Sequence, residues 1–131
     1  MSRTDLIADA LTIIRNGIMA KKEAVDVPAS NMLKSIFEIL KREGYIDDFK
    51  FVEYKKQGIL RIYLKYINLK SAIISIKRIS KPGLRIYVKR DKIPFVLRGK
   101  GLAVISTPKG IVTDGEARQQ GIGGEVIAYV W

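Results

Sequence analysis

The chain has 131 residues, the length of one domain or of two small modules, and its 47% hydrophobic content with only four prolines is enough to bury a core. It carries 24 Lys+Arg against 13 Asp+Glu, a net charge of +11, and neither cysteine nor histidine. This excludes disulfides, thiolate and imidazole metal sites, Ser-His and Cys-His nucleophile pairs and the commonest general base, and it favours a polyanionic partner.

The first apolar pattern places Ile7, Ala10, Leu11, Ile14 and Ile18 on one helical face, so a helix is predicted over residues 4–18, capped by Thr4 and stopped at Asn16-Gly17. The Val-rich residues 24–27 read as a short strand ended by Pro28. Ser30 caps a second helix, in which Leu33, Ile36, Phe37 and Leu40 repeat the apolar spacing and Gly44 supplies a left-handed stop. Residues 45–54 read as a strand and Gln57-Gly58 as a turn. Leu60, Ile62 and Leu64, alternating with Arg61, Tyr63 and Lys65, complete a hairpin. The order is α-β-α-β-β, with helices on one face of a small sheet.

The charge balance changes near residues 67–71, which places a boundary between modules 1–66 and 67–131. The first holds 12 Lys+Arg and 9 Asp+Glu, the second 12 and 4. Beyond the boundary Ile74 and Ile76 alternate with Ser75 and Lys77, and Lys81-Pro82-Gly83 makes a turn. Leu84, Ile86 and Val88 then alternate with Arg85, Tyr87 and Lys89, giving a hairpin with one apolar and one Arg-Tyr-Lys face. A short helical piece is predicted over 93–98, a buried strand over 102–105, a loop over 106–110, and a short helix over 116–120 capped by Thr113 or Asp114 and closed by Gly121. Gly123-Gly124 precede a final strand over 125–131. The fold class is α+β: two small modules, the N-terminal α-β-α-β-β and the C-terminal mainly antiparallel β with short helices.

The second module is expected to make the main polyanion contact, since ten basic residues and one acid, Asp91, lie between Lys77 and Lys109. Within it, Ser106-Thr107-Pro108-Lys109-Gly110 supplies hydroxyls, a cation and an approachable backbone, which suits ribose and phosphate in the shallow groove of RNA; alone, it also reads as a plain turn. Arg85, Tyr87 and Lys89 form a basic stripe with an aromatic that can stack a base, or else an ordinary solvated face. Gly121 to Gly124 is no phosphate loop, because a strand follows it rather than a helix. Asp47-Asp48 has no further acids at a metal-binding spacing. No catalytic residue, metal or cofactor is expected. The sequence has no apolar run near a membrane span and no secretory layout, so no membrane partner is expected and the chain should stay where it is made.

The residues from Gly101-Leu-Ala-Val-Ile-Ser-Thr-Pro-Lys-Gly110 through Thr113-Asp-Gly-Glu-Ala-Arg118 to Gly121-Ile-Gly-Gly-Glu-Val-Ile-Ala-Tyr-Val-Trp131 resemble the C-terminal signature of the S-eight family of small-subunit ribosomal proteins. Asp5-Leu-Ile-Ala-Asp9, Ile14-Arg-Asn-Gly17, Val27-Pro-Ala-Ser30, Ile39-Leu-Lys-Arg-Glu-Gly44, Leu64-Lys-Tyr66 and Arg78-Ile-Ser-Lys-Pro-Gly-Leu-Arg-Ile-Tyr87 extend the likeness over nearly the whole chain. The resemblance implies a structural constituent of the small ribosomal subunit. It would bind the central domain of small-subunit rRNA directly and early in assembly, beside neighbouring small-subunit proteins. Its place would be the ribosome of the cytoplasm, or of an organelle if organelle-encoded. Some bacterial members also bind and repress their own operon's messenger, which makes that messenger a further expected partner.

Carried over position by position, the resemblance puts the main RNA contact on Ser106, Thr107 and Gly110, with Tyr87, Gly124 and Glu125 close by; Lys109, Arg85, Lys89 and Lys81 join them on charge. Pro108 replaces a serine common in the family and Gly115 an arginine, each removing one polar contact. Glu125 would accept from base amino groups or orient a lysine. In the N-terminal module Arg3, Thr4, Arg15, Ser30 and Lys56 are expected to reach RNA, although residues 3–5 equally fit helix capping. The competing readings are a general basic DNA-binding or nucleoid protein, and a Mg²⁺-dependent nuclease, which the missing histidine and scattered acids disfavour.

Overall fold

Residues 5–131 are described by the computed structural model, which divides into two units: residues 6–74, and residues 75–131 together with Asp5. The first contains α1 (Leu6–Met19), β1 (Ala24–Pro28), α2 (Asn31–Arg42), β2 (Ile46–Val52) and β3 (Ile59–Leu64), the order that hydrophobic spacing predicts. The expected cap Thr4 lies outside the described residues. At Asn16-Gly17 the expected stop does not occur, and α1 continues to Met19. Gly17 is buried, and a Cβ there would stand 2.5 Å from Val25 Cγ1, so this glycine lets β1 approach the helix instead of ending it.

Ser30 caps α2, its Oγ accepting from the Leu33 amide at 3.1 Å, and Gly44 takes the left-handed φ of +83° beyond the helix end. The antiparallel sheet has the order β1-β3-β2. Central β3 buries Leu60, Ile62 and Leu64 while Arg61 and Tyr63 stay partly exposed, so its period of two sorts core from surface. α2 buries Leu33, Ile36, Phe37 and Leu40. Each such side chain contributes roughly 1.5–3 kcal/mol. The unit ends in a miniature hairpin, β4 (Tyr66–Ile67) and β5 (Lys70–Ser71), turned by Asn68 and Leu69 at φ of 51° and 68°.

The second unit contains β6 (Ile76–Arg78), β7 (Tyr87–Val88), a 3₁₀ turn at Leu97–Gly99, β8 (Leu102–Thr107), β9 (Gly110–Thr113), α3 (Asp114–Gln120) and β10 (Gly124–Val130). Its sheet has the order β6-β10-β8-β9, with β7 also on β10. Three local expectations are corrected. β6 and β7 do not pair with each other: both hydrogen-bond to β10, β6 along residues 128–130 and β7 along 124–125, with a tight Lys81–Leu84 turn between them. Leu84 is consequently 65% exposed rather than on an apolar face. Residues 93–98 do not form an α-helix: residues 93–96 are irregular, and only the 3₁₀ turn at Leu97–Gly99 follows, where Leu97 and Arg98 take left-handed φ of 48° and 55°. Ile93 and Val96 instead join Ala103, Ile105, Val112 and Ala117 in a core cluster. Residues 106–110 are not a loop but the end of one strand, a two-residue turn and the start of β9, a strand too short to show alternation in the sequence.

Thr113 caps α3 through a reciprocal box with Glu116, and Gly121 closes it at φ +67°. Buried Asp114 accepts from the Ala103 amide at 3.1 Å and from Arg118 at 2.6 Å, while Arg118 also donates to the Pro94 carbonyl and lies 3.7 Å from the Phe95 ring centre. Helix, sheet and the irregular residues 93–96 are thus tied together, and the turn joining β8 to β9 stands on a braced strand pair.

Candidate nucleic-acid interface

The first residues of β10 gather the candidates of the second unit. Glu125 stands opposite Tyr87 on β7 and opposite Ser106 on β8, and Ser106 stands opposite Ile111 on β9. Directly paired residues share a sheet face, so Tyr87, Glu125 and Ser106, distant in sequence, form one rung. The Tyr87 ring is 69% exposed. Ser106 is half-buried, and its hydroxyl makes no hydrogen bond among the described residues.

The glycines before Glu125 are where strands come too close for side chains. A Cβ on Gly123 would meet the Val88 carbonyl oxygen, and one on Gly124 the Ser106 carbonyl oxygen.

Glu125 is held from the side. Its carboxylate accepts from the Ser80 hydroxyl at 2.5 Å and from Arg85 Nη1 at 2.9 Å, and buried Ser80 in turn accepts from the Ile86 amide at 3.1 Å. Burial by itself pushes the Glu125 carboxyl up, but the Ser80 hydroxyl and the Arg85 guanidinium outweigh it and hold the group below its ordinary value of 4.5. The carboxylate therefore orients an arginine. Sequence reasoning missed Ser80, whose partner lies 45 residues away and leaves no local signal.

A folded-state pKa below the unfolded one gives stability that is present above the unfolded value and lost as pH falls through the folded value. At pH 7 Glu125→Gln is expected to cost on the order of 1.5–3 kcal/mol, the worth of hydrogen bonds to a charged group. In urea melts the gap between the two proteins should persist down to about pH 4.5 and close below it; a gap independent of pH would contradict this.

At the hairpin tip, Thr107 Oγ1 donates to the Gly110 carbonyl at 2.8 Å and accepts from the Lys109 amide at 3.1 Å. Pro108 sets the first turn residue, and Gly110 takes φ +115°, open to glycine. Thr107 thus shapes the turn while one oxygen lone pair stays open to an outside donor. Lys81, Lys89 and Lys109 are exposed and make no ion pair among the described residues. Arg85 is exposed but committed to Glu125.

In the first unit the Ala29 amide donates to the Gly58 carbonyl at 3.1 Å, which joins the β1–α2 and β2–β3 turns and brings Ser30 and exposed Lys56 to one end of the sheet. Ser30 Oγ is used as an acceptor for the cap and keeps its proton to donate. Arg15 sits on a different element, α1, where Nη1 donates to Thr12 Oγ1 at 3.2 Å. Arg3 and Thr4 lie outside the described residues. The Asp48 carboxylate is occupied by Lys41 at 3.0 Å and by the Phe49 amide, and no acidic group suited to a metal ion occurs among the described residues.

The family model described as Ribosomal protein S8 matches residues 5–131. Over 132 residues, and 100% of both chains, the sequence is 59% identical to small ribosomal subunit protein uS8 of Alkaliphilus oremlandii (strain OhILAs). Proteins of the same name from Syntrophomonas wolfei subsp. wolfei and Geobacillus kaustophilus are 61% and 59% identical, again over 100% of both chains.

Proposed function

Because this chain belongs to the ribosomal protein S8 family, we propose that it is a structural constituent of the small ribosomal subunit, binding the central domain of small-subunit rRNA directly through the Tyr87–Glu125–Ser106 rung and the adjoining Thr107–Gly110 turn. The observation that carries this is the rung itself: an exposed aromatic, an oriented Arg85 and an unengaged hydroxyl on one sheet face, bordered by a turn bearing Lys109. Tyr87 stacks on a base or ribose, the Ser106 hydroxyl bonds a 2′-hydroxyl or base edge, and Lys81, Lys89 and Lys109 take phosphates. Gly110 lets the backbone approach, and Gly124 keeps β10 against β8.

Ser30 and Lys56, with Arg3, Thr4 and Arg15, supply weaker contacts to neighbouring RNA. The protein acts by binding, without catalysis, cofactor or membrane, in the ribosome of the cytoplasm beside other small-subunit proteins. Its own operon's messenger is a second RNA target wherever it presents the same fold as the rRNA site. A general DNA-binding role has no support in the family.

Competition tests this reading. A central-domain rRNA fragment should outcompete duplex DNA of equal length, and its affinity should fall with salt with a log-log slope near the number of phosphates neutralised. Thr107→Ala removes a turn-shaping hydroxyl and should weaken the rRNA fragment roughly 5-fold, about one hydrogen bond, while leaving non-cognate RNA unchanged. Equal loss on both RNAs, or none on either, would remove Thr107 from the reading surface.

A further inference from the structure

We propose that the groove between the end of β1 and the β2–β3 turn binds one unstacked nucleobase of the rRNA against the Tyr54 ring, with the flanking phosphates on Lys55 and Lys56. This deepens the rRNA-binding reading and rests on it. The groove has a volume of about 590 Å³, inside the range of roughly 300–1,000 Å³ typical of ligand pockets. Its floor is apolar, formed by Val27, Pro28 and Ile59, and one wall is Tyr54, 53% exposed. An apolar floor beside an aromatic face suits the flat, poorly hydrated faces of a base, whereas a phosphate gains nothing there.

The charges of the groove point the same way. Its one acid, Asp26, is spent on Arg61, which donates Nε at 2.9 Å and Nη2 at 3.2 Å to the two carboxylate oxygens and holds that carboxyl below its usual range. Lys55 and Lys56 are left as exposed cations with no ion pair among the described residues. Lys55 Nζ also lies 5.3 Å from the centre of the Tyr54 ring, placing positive charge beside the stacking surface. Two unspent lysines, a neutralised acid and a stacking ring favour a phosphate-bearing aromatic ligand over an apolar peptide segment.

The test is an amide NMR titration of the full chain with a riboadenylate hexamer and with an abasic ribose-phosphate hexamer of the same length. The amides of residues 26, 27 and 54–59 should shift saturably, with affinity about fivefold or more in favour of the hexamer that carries bases. Tyr54→Ala should abolish that advantage and Tyr54→Phe retain it; the exposed ring makes either variant compatible with folding. Equal affinity for the two hexamers, shifts confined to residues 75–131, or an unchanged Tyr54→Ala would overturn the proposal. So would a hexaglutamate peptide that saturates the same amides more tightly than riboadenylate. The rRNA-binding reading is judged separately by Tyr87→Ala on the central-domain fragment, which leaves Tyr54 untouched.

Discussion

Gly124→Ala is expected to destabilise the second unit by about 3 kcal/mol, the upper part of the usual range for overpacking, and to weaken rRNA binding with it. The added methyl would meet the Ser106 carbonyl oxygen, which is backbone and part of the β8–β10 pairing, so no side chain can swing aside to admit it. The strands must part at the rung that holds Tyr87, Glu125 and Ser106. Gly115→Ala is the matched control: Gly115 is exposed on α3, and a Cβ there meets only Thr113 Oγ1 at 3.8 Å. That substitution should raise stability by roughly 0.5–1 kcal/mol, the gain of alanine over glycine in a helix. Urea melts of the two variants measure both effects, and a Gly124→Ala protein as stable as the wild type would show that β8 and β10 have room the close approach denies.

Arg78→Met should cost about 3–5 kcal/mol, the penalty for breaking a buried ion pair from one side. The Arg78 side chain is 6% exposed, and its guanidinium donates Nε to Asp5 at 3.2 Å and Nη1 to the Ile127 carbonyl at 2.9 Å. Methionine fills the space of the stem but leaves the Asp5 carboxylate without that guanidinium and the Ile127 carbonyl without that donor. By contrast, breaking the Asp26–Arg61 pair should cost far less, because its side chains are 42% and 40% exposed and water screens the two charges. Thermal melts of Arg78→Met and Arg61→Met therefore rank burial against geometry. The Asp26–Arg61 pair has the shorter bond, so a larger loss at Arg61 would show that bond length rather than desolvation sets the cost.

The helices and the central strand of the first unit are legible because burial there follows one period per element: Leu33, Ile36, Phe37 and Leu40 on a helical face, Leu60, Ile62 and Leu64 on a strand face. The second unit is less legible because its strands are short and their partners distant. Alternation over residues 84–89 shows that the chain is extended, yet it does not reveal that β7 pairs with β10 rather than β6. β9 hides behind Pro108-Lys109-Gly110, a turn signal that masks the strand after it. Gly17 misleads because a helical glycine can mean close packing as well as termination.

The same distinction holds for the candidate site. Charge counts point to the basic half, and the family likeness singles out Tyr87, Ser106 and Glu125, but only the register of β7, β10 and β8 puts them on one rung. Ser80 is invisible until that register is known, and the Tyr54 groove is invisible because a strand and a turn far apart in sequence form its sides.

One titration bears most directly on the role of the rung: equilibrium binding of the wild type, Tyr87→Ala and Tyr87→Phe to a central-domain rRNA fragment at fixed salt. Since stacking on an aromatic side chain is worth about 1–3 kcal/mol per base, alanine should weaken binding by about 5- to 150-fold and phenylalanine should stay near the wild type. An alanine variant that binds as tightly as the wild type would contradict the assignment and place the RNA on another face of the sheet.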